Sequence, residues 1–359
     1  MMNPSSLFSL LLLFLLHSPL TTTANSTVYL SKTTFFSDYS KMLTHLKIFI
    51  YPLPLQQQQQ QQQNNTTIFS LLHNSLLTSN FLTLNPNEAT LFFLPFLPTS
   101  TRSLSRHIDH IRTSYSYWDR SLGADHFYFS CNGVGPTSTR NVVELKKNAL
   151  QISCFPSPAR EFIPHKDVTV FSPLLVNPRA SLESPPPTRF LGYWRFVDVV
   201  HSGVDMINGL RNDPDFLIES EPSDGDYDGK IVQIRSSKFC LFVYDGEGVV
   251  GLSVAIAYGC VPVVITDRPI QDLPFMDVIK WSEIALFVKS TVKSKEFKRV
   301  LMSACEDGAY EKMRRLGVTI AHHFAWNESS LEPYDAFYMV MYQLWLRRHA
   351  IRYAKWDMI

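Results

Sequence analysis

The sequence predicts an α/β protein of two domains, each built on a parallel sheet with helices on both faces. Three observations lead there. Short continuous apolar runs, the pattern of strands buried on both faces, alternate with longer helical stretches. Pro185, Pro186 and Pro187 stiffen the stretch from Pro178 to Thr188 and exclude regular structure from it. The chain of 359 residues also suffices for two domains of roughly 150 residues each.

Taken in order, the first apolar run, Leu7 to Leu16, falls short of the roughly 20 residues a membrane-crossing helix needs. Thr22 and Ala24 are small residues spaced like a cleavage site before Asn25, so residues 1–24 read as a signal peptide or short signal-anchor. Either one delivers the chain to the secretory lumen, with the membrane touched only through that segment. The Asn-x-Ser/Thr triplets at Asn25, Asn64, Asn65 and Asn327 then become glycosylation acceptors.

From Lys47, Lys-Ile-Phe-Ile-Tyr-Pro reads as a buried strand closed by proline, and the tract Gln56 to Gln63 as a surface-loop expansion. A helix around Ile68 to Leu77 follows, then a strand from Ala89 to Phe96, an amphipathic helix from Arg102 to Tyr117 and a strand from Asp125 to Cys131. Residues 25–177 form the expected first domain and 178–188 the linker. In the second domain, 189–330, Phe190 to Trp194 and Phe239 to Val243 are strands, and Tyr244 to Gly248 is a glycine-containing turn. Val249 to Tyr258 is a helix of small residues, Gly259 its left-handed cap and Val261 to Thr266 the next strand, which completes a βαβ unit. Residues 331–359 hold a C-terminal helix, with Pro333 in its first turn and Arg347, Arg348, Arg352 and Lys355 near its end.

Composition excludes several classes. Lys+Arg 33 against Asp+Glu 32 leaves a net charge of +1, with no general attraction for nucleic acid, so any anionic ligand is bound locally. The five cysteines include no C-x-x-C pair, which argues against a metal framework. In an oxidising lumen Cys131 and Cys154 are disulfide candidates, whereas Cys240 and Cys260, inside apolar runs, read as buried free thiols. Asp213/Asp215 and Asp224/Asp226 resemble a metal motif but lie in a Pro/Gly-rich acidic loop, and read as solvated turn residues; no metal site is expected. No nucleophile elbow is present, and His107/His110 and His322/His323 read as structural.

Ser237-Lys-Phe-Cys-Leu, Tyr258-Gly-Cys-Val-Pro-Val-Val-Ile-Thr-Asp267, Leu273-Pro-Phe, Asp277-Val and Trp281 follow one another in the second half. Phe49-Ile-Tyr-Pro, Asn87-Glu-Ala-Thr-Leu-Phe-Phe-Leu-Pro95, Gly123-Ala-Asp-His-Phe127 and Pro164-His-Lys-Asp-Val168 precede them. In these segments the chain resembles the exostosin-type (GT47-like) glycosyltransferases of plants. The resemblance implies a GT-B-like α/β fold: two Rossmann-like domains facing a cleft, the acceptor on the N-terminal one and the donor on the C-terminal one. It implies a Golgi enzyme moving a sugar, with inversion, from a nucleoside diphosphate sugar to a cell-wall polysaccharide or glycoprotein. A UDP-sugar is then co-substrate, no cofactor is needed, and another transferase is a candidate partner. The chain departs from the family in the helix after the glycine turn, Gly248 to Tyr258, which lacks the usual Arg and Glu. Phe242 and Val243 replace a Cys and a Pro, and Arg195-Phe196 an Ala-Gly turn. These departures favour an alternative, a catalytically degenerate homologue that binds glycan or scaffolds a partner.

Sugar transfer requires neutralising a leaving diphosphate and taking a proton from the acceptor hydroxyl. For the cationic role Lys238 is the first candidate, at the start of the strand entering the glycine turn, followed by Arg195 and Arg235. Glu247 in the turn suits donor hydroxyls. Asp125 and His126 are the candidate base, and His165, Lys166 and Asp167 a polar group on the acceptor side.

Overall fold

The computed structural model describes residues 27–53, 68–97, 100–135, 139–157, 162–172, 188–195, 204–219, 227–244, 251–327 and 331–356. The expected signal segment, the glutamine tract, Asp224/Asp226, Glu247 and nearly all of the linker lie outside them.

Two five-stranded sheets, parallel throughout, organise the chain. The first contains β1 (Ile48–Ile50), β2 (Leu91–Phe93), β3 (His126–Phe129), β4 (Leu150–Cys154) and β5 (Val168–Val170), side by side in chain order. On the far side of β1 the segment around Leu82 adds a short parallel bridge: the Ile48 N–H donates to Phe81 O at 2.7 Å and the Thr83 N–H to Ile48 O at 2.9 Å. The second sheet contains β6 (Phe190–Arg195), β7 (Phe216–Glu219), β8 (Ser237–Val243), β9 (Val261–Ile265) and β10 (Leu286–Val288), in the order β10-β9-β8-β6-β7. Each lobe therefore winds outward from its first strand to one side, then reverses to the other. The reversal falls between β1 and β2 and again between β6 and β8. Chains leaving the carboxyl ends of the two strands at a reversal diverge, and a crevice opens between them.

The apolar runs read as strands because both their faces are covered. Every residue of β2 and β9 is buried. In the first lobe Phe93, Phe127 and Ile152 share a core with α1 (Lys32–His45) and α2 (Ile68–Thr78). Their neighbours Phe92 and Tyr128 meet α3 (Thr101–Ser114) and α4 (Arg140–Asn148) on the opposite face. Helix α3 buries Leu104, Ile108 and Ile111, one stripe at helical spacing, and the Ser100 hydroxyl caps it by accepting from the Ser103 N–H at 3.3 Å. In β6, Gly192 leaves room for the Phe216 ring, which would lie 2.6 Å from an added Cβ.

The second lobe adds α5 (Val204–Asn208), α6 (Tyr227–Arg235), α7 (Leu252–Ala257), α8 (Ser294–Glu306) and α9 (Ala309–Ile320). The last helix, α10 (Ala336–Trp356), then returns to pack on α1 and β5 of the first lobe. Asp335 rather than Pro333 begins it, accepting the Tyr338 N–H at 3.0 Å. Among the described residues no helix is long and apolar enough to cross a membrane.

A disulfide joins Cys131 and Cys154, at the carboxyl ends of β3 and β4. The free-thiol expectation for Cys240 and Cys260 is corrected: they form a second disulfide between β8 and the start of β9, their Cα atoms 5.7 Å apart. Parallel pairing of neighbouring strands brings them within bonding reach. Cys305 keeps the free thiol.

Candidate functional site

In a parallel sheet all carboxyl ends lie on one edge, and here the two such edges meet. Phe155, directly after β4, stacks on Tyr244, directly after β8, with ring centroids 6.1 Å apart. Asp272, only 4% exposed, sits between them. Its carboxylate accepts the Ser157 N–H at 2.8 Å and the Tyr244 hydroxyl, and its backbone carbonyl accepts the Thr169 hydroxyl at 2.6 Å. Burial, helped by the Asp272 carboxylate, pushes the Tyr244 phenol far up, so it remains a proton donor. The Arg268 guanidinium lies 5.4 Å from the centre of the Tyr244 ring.

Next to this seam is the reversal between β6 and β8. Arg195 is the last residue of β6, paired in register with Glu219 at the end of β7. Its guanidinium hydrogen-bonds the Tyr193 hydroxyl, which in turn donates to Glu219 Oε2 at 2.8 Å. Helix α6 leads into β8, so its first turn lies at the same carboxyl edge, and Lys230 projects from that turn. Lys230 Nζ stands 3.4 Å from where a Cβ on Gly251 would be. Burial, and then the positive charge of Arg195, hold the Lys230 ammonium below its ordinary range. Sequence reasoning passed over Lys230, because Gly229 and the acidic stretch before it hide the helix. The usable signal was its place about two helical turns upstream of a strand.

The other candidate cations lie at the wrong end. Lys238 is the second residue of β8, and seven residues at about 3.3 Å each separate that end from the turn. Its Nζ is 5.5 Å from the Tyr310 ring centre and 3.8 Å from Cys305 Sγ, against α8 and α9. Arg235 ends α6 at the same amino edge. Neither reaches the crevice, which corrects the donor-side expectation for both.

Asp125 and His126 are also corrected. They stand at the amino end of β3, with His126 fully buried among Phe92, Tyr51 and Trp118. His126 Nδ1–H donates to Asp125 at 2.8 Å, and Nε2 accepts the Tyr51 hydroxyl at 2.9 Å. Arg120 donates twice to the other Asp125 oxygen, at 3.1 and 2.9 Å. Burial raises the Asp125 carboxyl, but hydrogen bonds from His126 and Ser121 and the Arg120 charge outweigh it and hold it down at about 2. Both imidazole nitrogens are engaged and neither meets solvent, so the pair is a satisfied core network and not an acceptor base.

His165, Lys166 and Asp167 precede β5, again at the amino edge. His165 is exposed, while Lys166 pairs with Asp167. Asp167 accepts the backbone N–H groups of Gln151 at 3.0 Å and Ile163 at 2.8 Å. Arg347 of α10 bonds Lys166 O at 2.9 Å, Asp167 O at 3.2 Å and the Asp277 carboxylate of the second lobe at 2.8 Å. Lys166 and Asp167 thus help fasten α10 to the first lobe, while His165 stays exposed. Asp213 and Asp215 are not simply solvated: both pair with Lys298, each at 2.7 Å. Among the described residues no cluster of three or more His, Cys, Asp or Glu could hold a metal ion.

Known proteins provide a further comparison. A probable glycosyltransferase of Arabidopsis thaliana is 26% identical over 351 residues, covering 89% of this chain; the chain spans 65% of that protein's length. The probable beta-1,4-xylosyltransferase IRX10 of Arabidopsis thaliana is 25% identical over 339 residues, covering 82% of this chain and 81% of that one. Among solved structures, that of TarM superposes with a TM-score of 0.34 at 10% identity, covering 67% of this chain and 57% of TarM. The Exostosin GT47 domain matches residues 42–303, from within α1 into α8, and so takes in both sheets and the crevice between β6 and β8. The chain belongs to the Exostosin GT47 family.

Proposed function

We propose that the protein is a Golgi-lumenal glycosyltransferase that moves a sugar, with inversion, from a UDP-sugar to a cell-wall polysaccharide or glycoprotein acceptor. One observation carries the reading: the strand-order reversal of the second sheet opens beside the seam where the carboxyl edges of both lobes meet. A nucleotide fits such a crevice. Family membership and the xylosyltransferase name of one relative support sugar transfer. In this reading the second lobe holds the donor and meets its leaving diphosphate with side-chain cations, without a metal. The first lobe presents the hydroxyl.

Calorimetric titration with UDP, paired with product analysis over a panel of UDP-sugars and wall oligosaccharides, tests it. Saturable UDP binding together with a glycosylated product is expected. Absence of binding at millimolar UDP, the level of about 4 kcal/mol, together with no product, rejects it. Helix α7, uncharged and with five of its six residues buried, favours a second reading as a non-catalytic glycan-binding or scaffolding homologue. That protein would bind wall oligosaccharide when this is titrated in the same calorimeter, but not UDP.

A further inference from the structure

Helix α7, which follows β8, brings no charged side chain to a diphosphate: it reads Leu-Ser-Val-Ala-Ile-Ala. The cations come from the other side of the β6/β8 reversal. We propose that Arg195 and Lys230 together form the clamp that holds the diphosphate of the nucleotide sugar, an inference that rests on the transferase reading above.

Three features converge on it. Both residues stand at the carboxyl edge of the second sheet, one ending β6 and the other in the first turn of the helix feeding β8, so they flank the point where the strand order reverses. That is where the fold leaves space for a ligand. Second, the two cations are close enough for the charge of Arg195 to bear on Lys230. Among the described residues no carboxylate pairs with Lys230. Two like charges drawn together and partly out of water cost folding energy, and an anion between them removes the cost.

Third, Arg195 is held in place but not used up. Tyr193 takes one of its hydrogen bonds and itself donates to Glu219, and among the described residues no carboxylate pairs with the guanidinium, which can grip one phosphate as a fork. Lys230 supplies a point charge for the second phosphate. Gly251, at φ +98°, lies beside the ammonium: a Cβ there would be in ordinary contact with Nζ, at 3.4 Å.

The test uses the full chain and its variants Arg195→Gln, Lys230→Met, Lys230→Arg and Lys238→Met, each checked for folding by its thermal midpoint. UDP and uridine are titrated separately. The clamp predicts that Arg195→Gln and Lys230→Met weaken UDP binding by about 10- to 100-fold and leave uridine binding unchanged. Lys238→Met, at the opposite edge, retains wild-type affinity. Lys230→Arg keeps the charge and should retain UDP binding within about tenfold, which decides the matter if Lys230→Met does not fold. UDP affinity unchanged in both Arg195→Gln and Lys230→Met overturns the clamp and leaves the transferase reading standing. A wild-type chain that binds no UDP and transfers no sugar removes the transferase reading itself, and the clamp falls with it.

Discussion

His323 illustrates what a single buried group contributes. It is 1% exposed, its Nδ1–H donates to Tyr334 O at 2.6 Å, and its Nε2 accepts the Tyr29 hydroxyl at 2.8 Å. Burial first, and then neighbouring His322, push its pKa down to about 3. Below about pH 6.5 the unfolded chain takes up a proton that the folded chain refuses until about pH 3, so stability declines as pH falls through that window and is level above it. The thermal midpoint should therefore be lower at pH 5 than at pH 7, with roughly 2 kcal/mol of the loss due to this residue. His323→Gln should flatten that dependence; an unchanged slope would contradict the assignment. At the same scale, Asn327 donates to Asp335 at 3.0 Å and is half-buried, so its sequon competes with the cap of α10. Peptide mass spectrometry of secreted protein should find Asn327 without glycan. Residue chemistry was legible in sequence but its use was not: Asp125-His126 has the composition of a base, and only burial reveals a core network.

At the scale of elements, the Cys240–Cys260 disulfide ties β8 to β9 across a sequence separation of 20. Closing a loop of that length stabilises by about 3 kcal/mol, so Cys240→Ser with Cys260→Ser should lower the urea midpoint accordingly. Alkylation of the unreduced, denatured protein should label Cys305 alone among the five cysteines. In β6, Gly192→Ala meets the Phe216 ring and should cost about 1–3 kcal/mol, measured by the same denaturation. The central strands β2, β8 and β9 announce themselves as apolar runs because both faces are covered. Strands β7 and β10 do not. They close the two edges of their sheet, and β10 leaves Phe287 40% exposed, so their composition carries less of the burial signal.

Across the whole molecule, Asp272 is one point where the lobes are joined, bonding Ser157 from one and Tyr244 from the other. Asp272→Ala leaves both donors without their buried acceptor and should cost about 2–4 kcal/mol in urea unfolding. Asp272→Asn, which keeps the shape, should cost less. None of these three residues stood out in the sequence, because they come from separate segments and each alone is ordinary. By itself the sequence determined the kinds of element, the two α/β units and the resemblance to exostosin-type transferases, since periodicity and local motifs are written along the chain. Only the tertiary structure decided which charges stand at the carboxyl edge. A strand's composition shows that it is buried, not which of its ends faces the other lobe. That end is set by the parallel alignment of distant segments, which put Arg195 and Lys230 at the carboxyl edge and left Lys238, Arg235, His126 and Lys166 at the other.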